Sequence, residues 1–175
     1  MKDLPVWVND FSCGEAPVAP KLGRRSIRSE SEEQVRHSLV MLPFFSVFDD
    51  LKAQVAGSRV ILWGRVTSPV LRSRAEAAVR RIRGISHVEN RIEILPRSRD
   101  DERIRIESFQ AVYSCPKFIR YALRSLPPIH LIVKNGIVTL EGVVATAADR
   151  DSAAMRVEEV PGVCSVENRL EVRSG

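Results

Sequence analysis

Apolar and polar residues alternate at the start of a clear pattern: Leu51, Ala53 and Val55 are interleaved with Lys52 and Gln54, and alternation resumes at Val60 and Leu62 after Gly57-Ser58. A period of two marks strands with one covered face, and two such runs across a two-residue break predict a hairpin, with Gly57 suited to a type II′ turn. The period then lengthens. Ala75, Val79 and Ile82 recur at i, i+4 and i+7, which predicts a helix ended by Gly84. Alternation returns at Val88, Asn90, Ile92 and Ile94, with Glu89, Arg91 and Glu93 on the opposite side. Ahead of the hairpin, Ser31-Glu32-Glu33-Gln34 reads as a capping box, and Val35, Leu39 and Leu42 form the stripe of a short helix stopped by Pro43. The predicted order is α-β-β-α-β.

The pattern is written twice. Residues 51–94 and 129–172 align without a gap at an offset of 78, with fourteen of 44 positions identical, including Val88-Glu89-Asn90-Arg91 and Val166-Glu167-Asn168-Arg169. Other positions exchange like for like, such as Ile82/Val160, Ile85/Val163 and Ile92/Leu170, so the duplication keeps a buried pattern. Asn135-Gly136 takes the turn position, a strong hairpin signal between Ile129–Lys134 and Ile137–Val144. Ala153, Val157 and Val160 repeat the helical stripe, closed by Pro161-Gly162. The opening helix of the second copy is less regular, from about Asp101 to Tyr113 through Ile104 and Phe109, with a helical addition near Phe118 to Leu123.

A strand-helix-strand unit needs a right-handed crossover, so the third strand of each copy should lie parallel to the second while the hairpin stays antiparallel. The fold class is therefore α+β: two tandem α/β sandwiches, each a mixed three-stranded sheet covered on one face by two helices. The expected division is an irregular arm over 1–29, rich in proline and glycine with Trp7 and Phe11 as docking residues, one domain over 30–96 and a second over 100–174. The connector Leu95-Pro96-Arg97-Ser98-Arg99-Asp100 is short and proline-stiffened, which predicts a compact tandem.

Charge adds a bias and cysteine subtracts a possibility. Net charge is +5 and pI about 9.5, favouring acidic surfaces. Cys13, Cys115 and Cys164 are odd in number, far apart and form no CxxC, which argues against a disulfide framework or zinc site. No apolar run is long enough to cross a bilayer, and the first thirty residues lack the stretch of an export signal. His37, His87 and His130 are dispersed, and neither a GxSxG elbow nor a phosphate-binding glycine loop is present, so no catalysis, cofactor, metal or small-molecule substrate is expected.

A hairpin with Asn135-Gly136, then Ile137-Val138-Thr139-Leu140-Glu141-Gly142-Val143-Val144, a helix, and Pro161-Gly162-Val163-Cys164-Ser165-Val166-Glu167-Asn168-Arg169-Leu170 together resemble the BON domain, a family named for bacterial osmotically induced and nodulation proteins. The first copy departs more, with Gly57-Ser58 in the turn and Arg83-Gly84-Ile85 for Pro-Gly-Val, yet keeps both glycines and the asparagine. The resemblance spans roughly 31–173 and implies a non-catalytic module that associates with anionic phospholipid or envelope proteins, usually in the periplasm or outer membrane. The absent export signal points to the cytoplasm for the chain as written.

Within that reading, Arg72, Arg74, Arg80, Arg81 and Arg83 crowd the second helix of the first copy against Glu76 alone, and form the candidate lipid- or anion-binding set, since guanidinium forks suit phosphate. The matching helix carries Asp149, Asp151, Glu158 and Glu159 against Arg150 and Arg156 and cannot share that role. Ile61 and Trp63 in one copy, and Ile132, Ile137 and Val143 in the other, project from the sheet faces away from the helices and are the candidate interface residues, facing the other copy, the arm or a partner. Gly64 and Gly142 are read as close-approach glycines, Gly84 and Gly162 as helix terminators, and Asn90 and Asn168 as amides bonded to loop backbone. Two other functions compete: a protein-interaction or oligomerisation module without lipid binding, and an RNA-binding module, disfavoured because the GXXG clamp and aromatic RNP strands are missing.

Overall fold

The computed structural model describes residues 30–173. The N-terminal arm, with Trp7, Phe11 and Cys13, lies outside the described residues.

In the first copy, α1 (Glu30–Val40) is followed by β1 (Asp50–Ala56), β2 (Arg59–Val66), α2 (Pro69–Arg80) and β3 (His87–Ile94). Strands β1 and β2 pair antiparallel and β2 and β3 parallel, so the order is β1-β2-β3. The second copy repeats this. Helix α3 (Arg99–Tyr113) leads through a 3₁₀ turn (Pro116–Phe118) and α4 (Ile119–Ala122) to β4 (Ile129–Lys134), β5 (Ile137–Val144), α5 (Ala147–Glu158) and β6 (Ser165–Val172), with sheet order β4-β5-β6. The two mixed sheets, each with helices on one face, are the α/β pair that the periodicity predicts.

Each copy has its own core. Val35, Leu39, Val60, Leu62, Leu71, Ala75, Val79 and Ile92 pack together in the first, and Ile104, Phe118, Leu131, Leu140, Ala153, Val157 and Leu170 in the second. The turns differ as their sequences require. Gly57 alone has positive φ in the first hairpin, whereas Asn135 (φ 53°) and Gly136 (φ 75°) both do in the second, as a type I′ turn demands. At Gly142 a side chain would collide with the Pro128 carbonyl, and at Gly64 with that of Asp50, so glycine is dictated where the hairpin crosses itself.

Three expectations need correction. Ser31 lies inside α1, because Glu30 is already helical, and Gln34 reaches back to Glu30 instead of forming a capping box. Asn90 and Asn168 bond helix carbonyls, not loops: their Nδ2 groups donate to Arg72 O (3.2 Å) and Arg150 O (2.9 Å). Each Oδ1 also accepts from the backbone two residues on, so the amide ties the third strand to the second helix. Finally, Asp149 is 1% exposed and does not belong to the surface of α5.

Asp149 occupies the position that Leu71 fills in the first copy, at the offset of 78. The second copy buries a carboxylate there because the 3₁₀ turn and α4 supply its partners: Tyr121 donates at 2.8 Å, Arg120 forms an ion pair and Lys117 stands 3.6 Å away. Burial pushes this carboxyl up, but hydrogen bonding with Tyr121 and Thr146 and the Arg120 guanidinium prevail and hold it below the usual carboxylate range.

Candidate functional site

Helix α2 starts with Ser68 capping Val70 N and Pro69 in its first turn, where a missing N–H costs nothing. Leu71, Ala75 and Val79 face the core, and the remaining positions look outward. Arg74, Arg80, Arg81 and Arg83 are exposed and Arg72 is half-buried. Arg80 pairs with Glu76 at 2.7 Å, which leaves Arg72, Arg81 and Arg83 without a side-chain partner among the described residues.

Arg74 does something sequence reasoning missed. Its guanidinium lies over the Phe44 ring, 5.4 Å from the centroid. Phe44 is 79% exposed and held at φ 71°, in the left-handed region that a bulky side chain seldom adopts. Met41 and Val40 at the end of α1 and Val70 at the start of α2 are also exposed, and a shallow groove along Pro69, Val70, Ser73, Arg74 and Ala77 continues this apolar strip. Large apolar side chains therefore stand in solvent beside the guanidinium of Arg74. The available signal was Phe44-Phe45 immediately after the helix-stopping Pro43, because only Phe45 turns into the core.

The surface of α5 is nearly balanced. With Asp149 buried, Asp151, Glu158 and Glu159 face Arg150 and Arg156, and Arg150 pairs with Asp151 at 2.8 Å.

Polar groups cross between the open sheet faces. Lys52 reaches Glu141 at 2.8 Å, and Arg65 reaches Thr139 at 3.1 Å and Glu141 at 3.7 Å. Lys134 pairs with Glu93, and Glu141 also meets Arg169 of its own sheet at 3.6 Å. Burial lowers the Lys52 ammonium, but Asp50 and Glu141 outweigh it and raise the group above its ordinary value. Of the interface candidates, Ile132 is fully buried, Ile61, Trp63 and Val143 are half-buried, and Ile137 is 39% exposed.

A strap joins the copies more closely. Leu131 N donates to Val47 O at 2.7 Å, His130 Nδ1 bonds Asp49 O at 2.6 Å, and Phe48 packs edge-on to Phe109 in the second core. Asp49 holds the strap's shape, accepting from Ser46 N, Ser46 Oγ, Thr67 N and Thr67 Oγ1. Residues 45–49 thus run along the free edge of β4.

Among the described residues no group of His, Cys, Asp and Glu could hold a metal ion, and no helix is long and apolar enough to cross a membrane.

No curated protein matches the chain. Among solved structures it is similar to CdsD, a structural protein of the Type III secretion system of Chlamydia trachomatis. The C-terminal domain of CdsD aligns at 10% identity and a TM-score of 0.30, over 83% of this chain and 98% of that one. A second CdsD structure aligns at 10% identity and 0.31, over 82% and 92%. At these values the likeness says nothing of what this chain binds. The BON domain family model matches twice, at residues 29–96 and 118–174, each covering the sheet and second helix of one copy. The chain belongs to the BON domain family and carries two such domains in tandem.

Proposed function

We propose that this protein is a non-catalytic adaptor that attaches to anionic phospholipid through the α1–α2 face of its first BON domain. The observation that supports this reading best is Phe44, exposed with Met41 and Val70 and covered on one side by Arg74. Apolar side chains that have no cover in water can sit among acyl chains, while arginines at the same level hold phosphate groups in forked hydrogen bonds. Near an anionic surface each basic residue contributes on the order of 1 kcal/mol, so Arg72, Arg74, Arg81 and Arg83 together supply about 4 kcal/mol, a millimolar attraction that insertion of the apolar side chains strengthens. The second BON domain, with its balanced α5 surface, takes no part in the contact.

Co-sedimentation with phosphatidylglycerol vesicles tests the reading, with phosphatidylcholine vesicles as the uncharged control. Arg74→Glu with Arg81→Glu should weaken binding by roughly 30-fold or more, counting only the two lost cations. Phe44→Ser should weaken it by about tenfold while leaving its salt dependence intact. Equal binding by all variants, or binding of RNA with none to vesicles, overturns the reading.

A further inference from the structure

Where the parallel strands β2 and β3 end, the chain leaves the first domain, and a cleft of about 330 Å³ opens there. Its walls are Thr67, the connector from Leu95 to Ser98, and Arg99, Glu102 and Arg105 of α3. Three of these lining residues are arginines, Arg97, Arg99 and Arg105, against the single carboxylate of Glu102. Arg97 and Arg99 are exposed and have no side-chain partner among the described residues.

Arg105 is only 4% exposed. Its Nη1 donates to Glu102 Oε2 at 2.9 Å and its Nη2 to Val133 O at 3.0 Å, while its buried Nε has no acceptor among the described residues. A buried guanidinium is costly unless its donors and its charge are both matched. Among the described residues the only matching charge is a Glu102 side chain that is itself 65% exposed. The other acids nearby offer little. Asp101 is spent on the backbone N–H groups of Asn135 and Gly136, both at 2.9 Å, and Asp49 on Thr67. Asp100 is exposed and does not line the cleft. Ser98 Oγ accepts from Asp101 N, which leaves its hydroxyl proton to donate.

We propose that this cleft is a second anion site, separate from the α2 face, and that it takes a phosphate group. The phosphate lies between Arg97 and Arg99, accepts from the Ser98 hydroxyl, and displaces Glu102 from Arg105, so that the buried guanidinium gains a partner of higher charge. Leu95 and Pro96 give the cleft an apolar floor, which suits a phosphate monoester better than a bare ion. Because Arg97 and Ser98 lie in the connector and Arg99, Glu102 and Arg105 in α3, occupancy ties the second domain to the end of the first.

Isothermal titration of the full chain with inorganic phosphate and with glycerol 3-phosphate, against sodium chloride of equal ionic strength, tests this. Saturable one-to-one binding is expected. Arg97→Gln with Arg99→Gln should weaken it about tenfold per arginine, and Glu102→Gln should tighten it. Arg81→Gln with Arg83→Gln should leave it unchanged while reducing attachment to phosphatidylglycerol vesicles, which separates this site from the lipid reading. Phosphatidylglycerol vesicles that compete with the monoester identify a lipid headgroup as the source of the phosphate, and vesicles that do not compete identify a soluble ester. No saturable heat with either probe, or equal losses from the two arginine pairs, overturns the proposal.

Discussion

Replacing Asp149 by Asn removes a buried charge while keeping volume and an acceptor for Tyr121, which makes it a clean measure of what α4 contributes to the second domain. Three interactions change: the hydrogen bond from Tyr121, the ion pair with Arg120, and the longer approach of Lys117 at 3.6 Å. A buried hydroxyl bonded to a carboxylate loses about 1 kcal/mol when the acceptor becomes neutral, and the two cations, whose charges lie largely in solvent, add little to that. The expected loss is about 1 kcal/mol, or a drop of roughly 2–4 °C in melting temperature for a chain of this size. The pH dependence is the sharper test. Because the folded carboxyl is held below its ordinary value, its contribution is complete above about pH 5 and fades as acid protonates it in the folded state. Melting curves of both proteins by circular dichroism should therefore differ most at neutral pH and converge toward pH 3. A gap that stays constant from pH 7 to pH 3, or no gap at pH 7, would refute the assignment of this stability to the ionised carboxylate.

Gly142→Ala should lower stability by at least about 3 kcal/mol in urea denaturation, through collision with the Pro128 carbonyl at positive φ, whereas Gly57→Ala, with open space around it, should cost only about 1 kcal/mol. Ile132→Ala should cost about 2–4 kcal/mol and Ile137→Ala under about 1 kcal/mol, since the first is fully buried and the second 39% exposed, a contrast that equilibrium unfolding reads directly. Glu141→Gln should destabilise by about 1 kcal/mol at low salt and by less at 1 M salt, because its partners Lys52 and Arg169 are partly in solvent.

Periodicity made the architecture legible because every strand with one covered face and every helix with one stripe reports its own burial, and the duplication reported it twice. The predicted stripe of α2 began at Ala75 and left out Leu71 one turn earlier, where the two copies differ because the counterpart is Asp149. The burial of Asp149 depends on Tyr121 and Arg120, which lie in a segment the first copy lacks, and no local pattern links them. The arginines of α2 were visible as a run of like charge, but the exposure of Phe44 was not. A loop phenylalanine reads as core until the backbone shows which of Phe44 and Phe45 turns inward. The cleft at the connector was similarly hidden, since Arg97 and Arg99 gain their meaning from Arg105, whose burial follows from the packing of α3 on β4.

The strap of residues 45–49 separates what was duplicated from what can stand alone. A fragment beginning at Asp100 would keep every strand of the second domain but lose the Val47 carbonyl from Leu131 N–H and the Phe48 ring from Phe109. Its β4 would then offer unpaired backbone to any neighbouring chain, the condition under which isolated sheets stick together. The second repeat is therefore complete as an inherited unit yet unfinished as a physical one, since five residues of its sibling cover its outer strand.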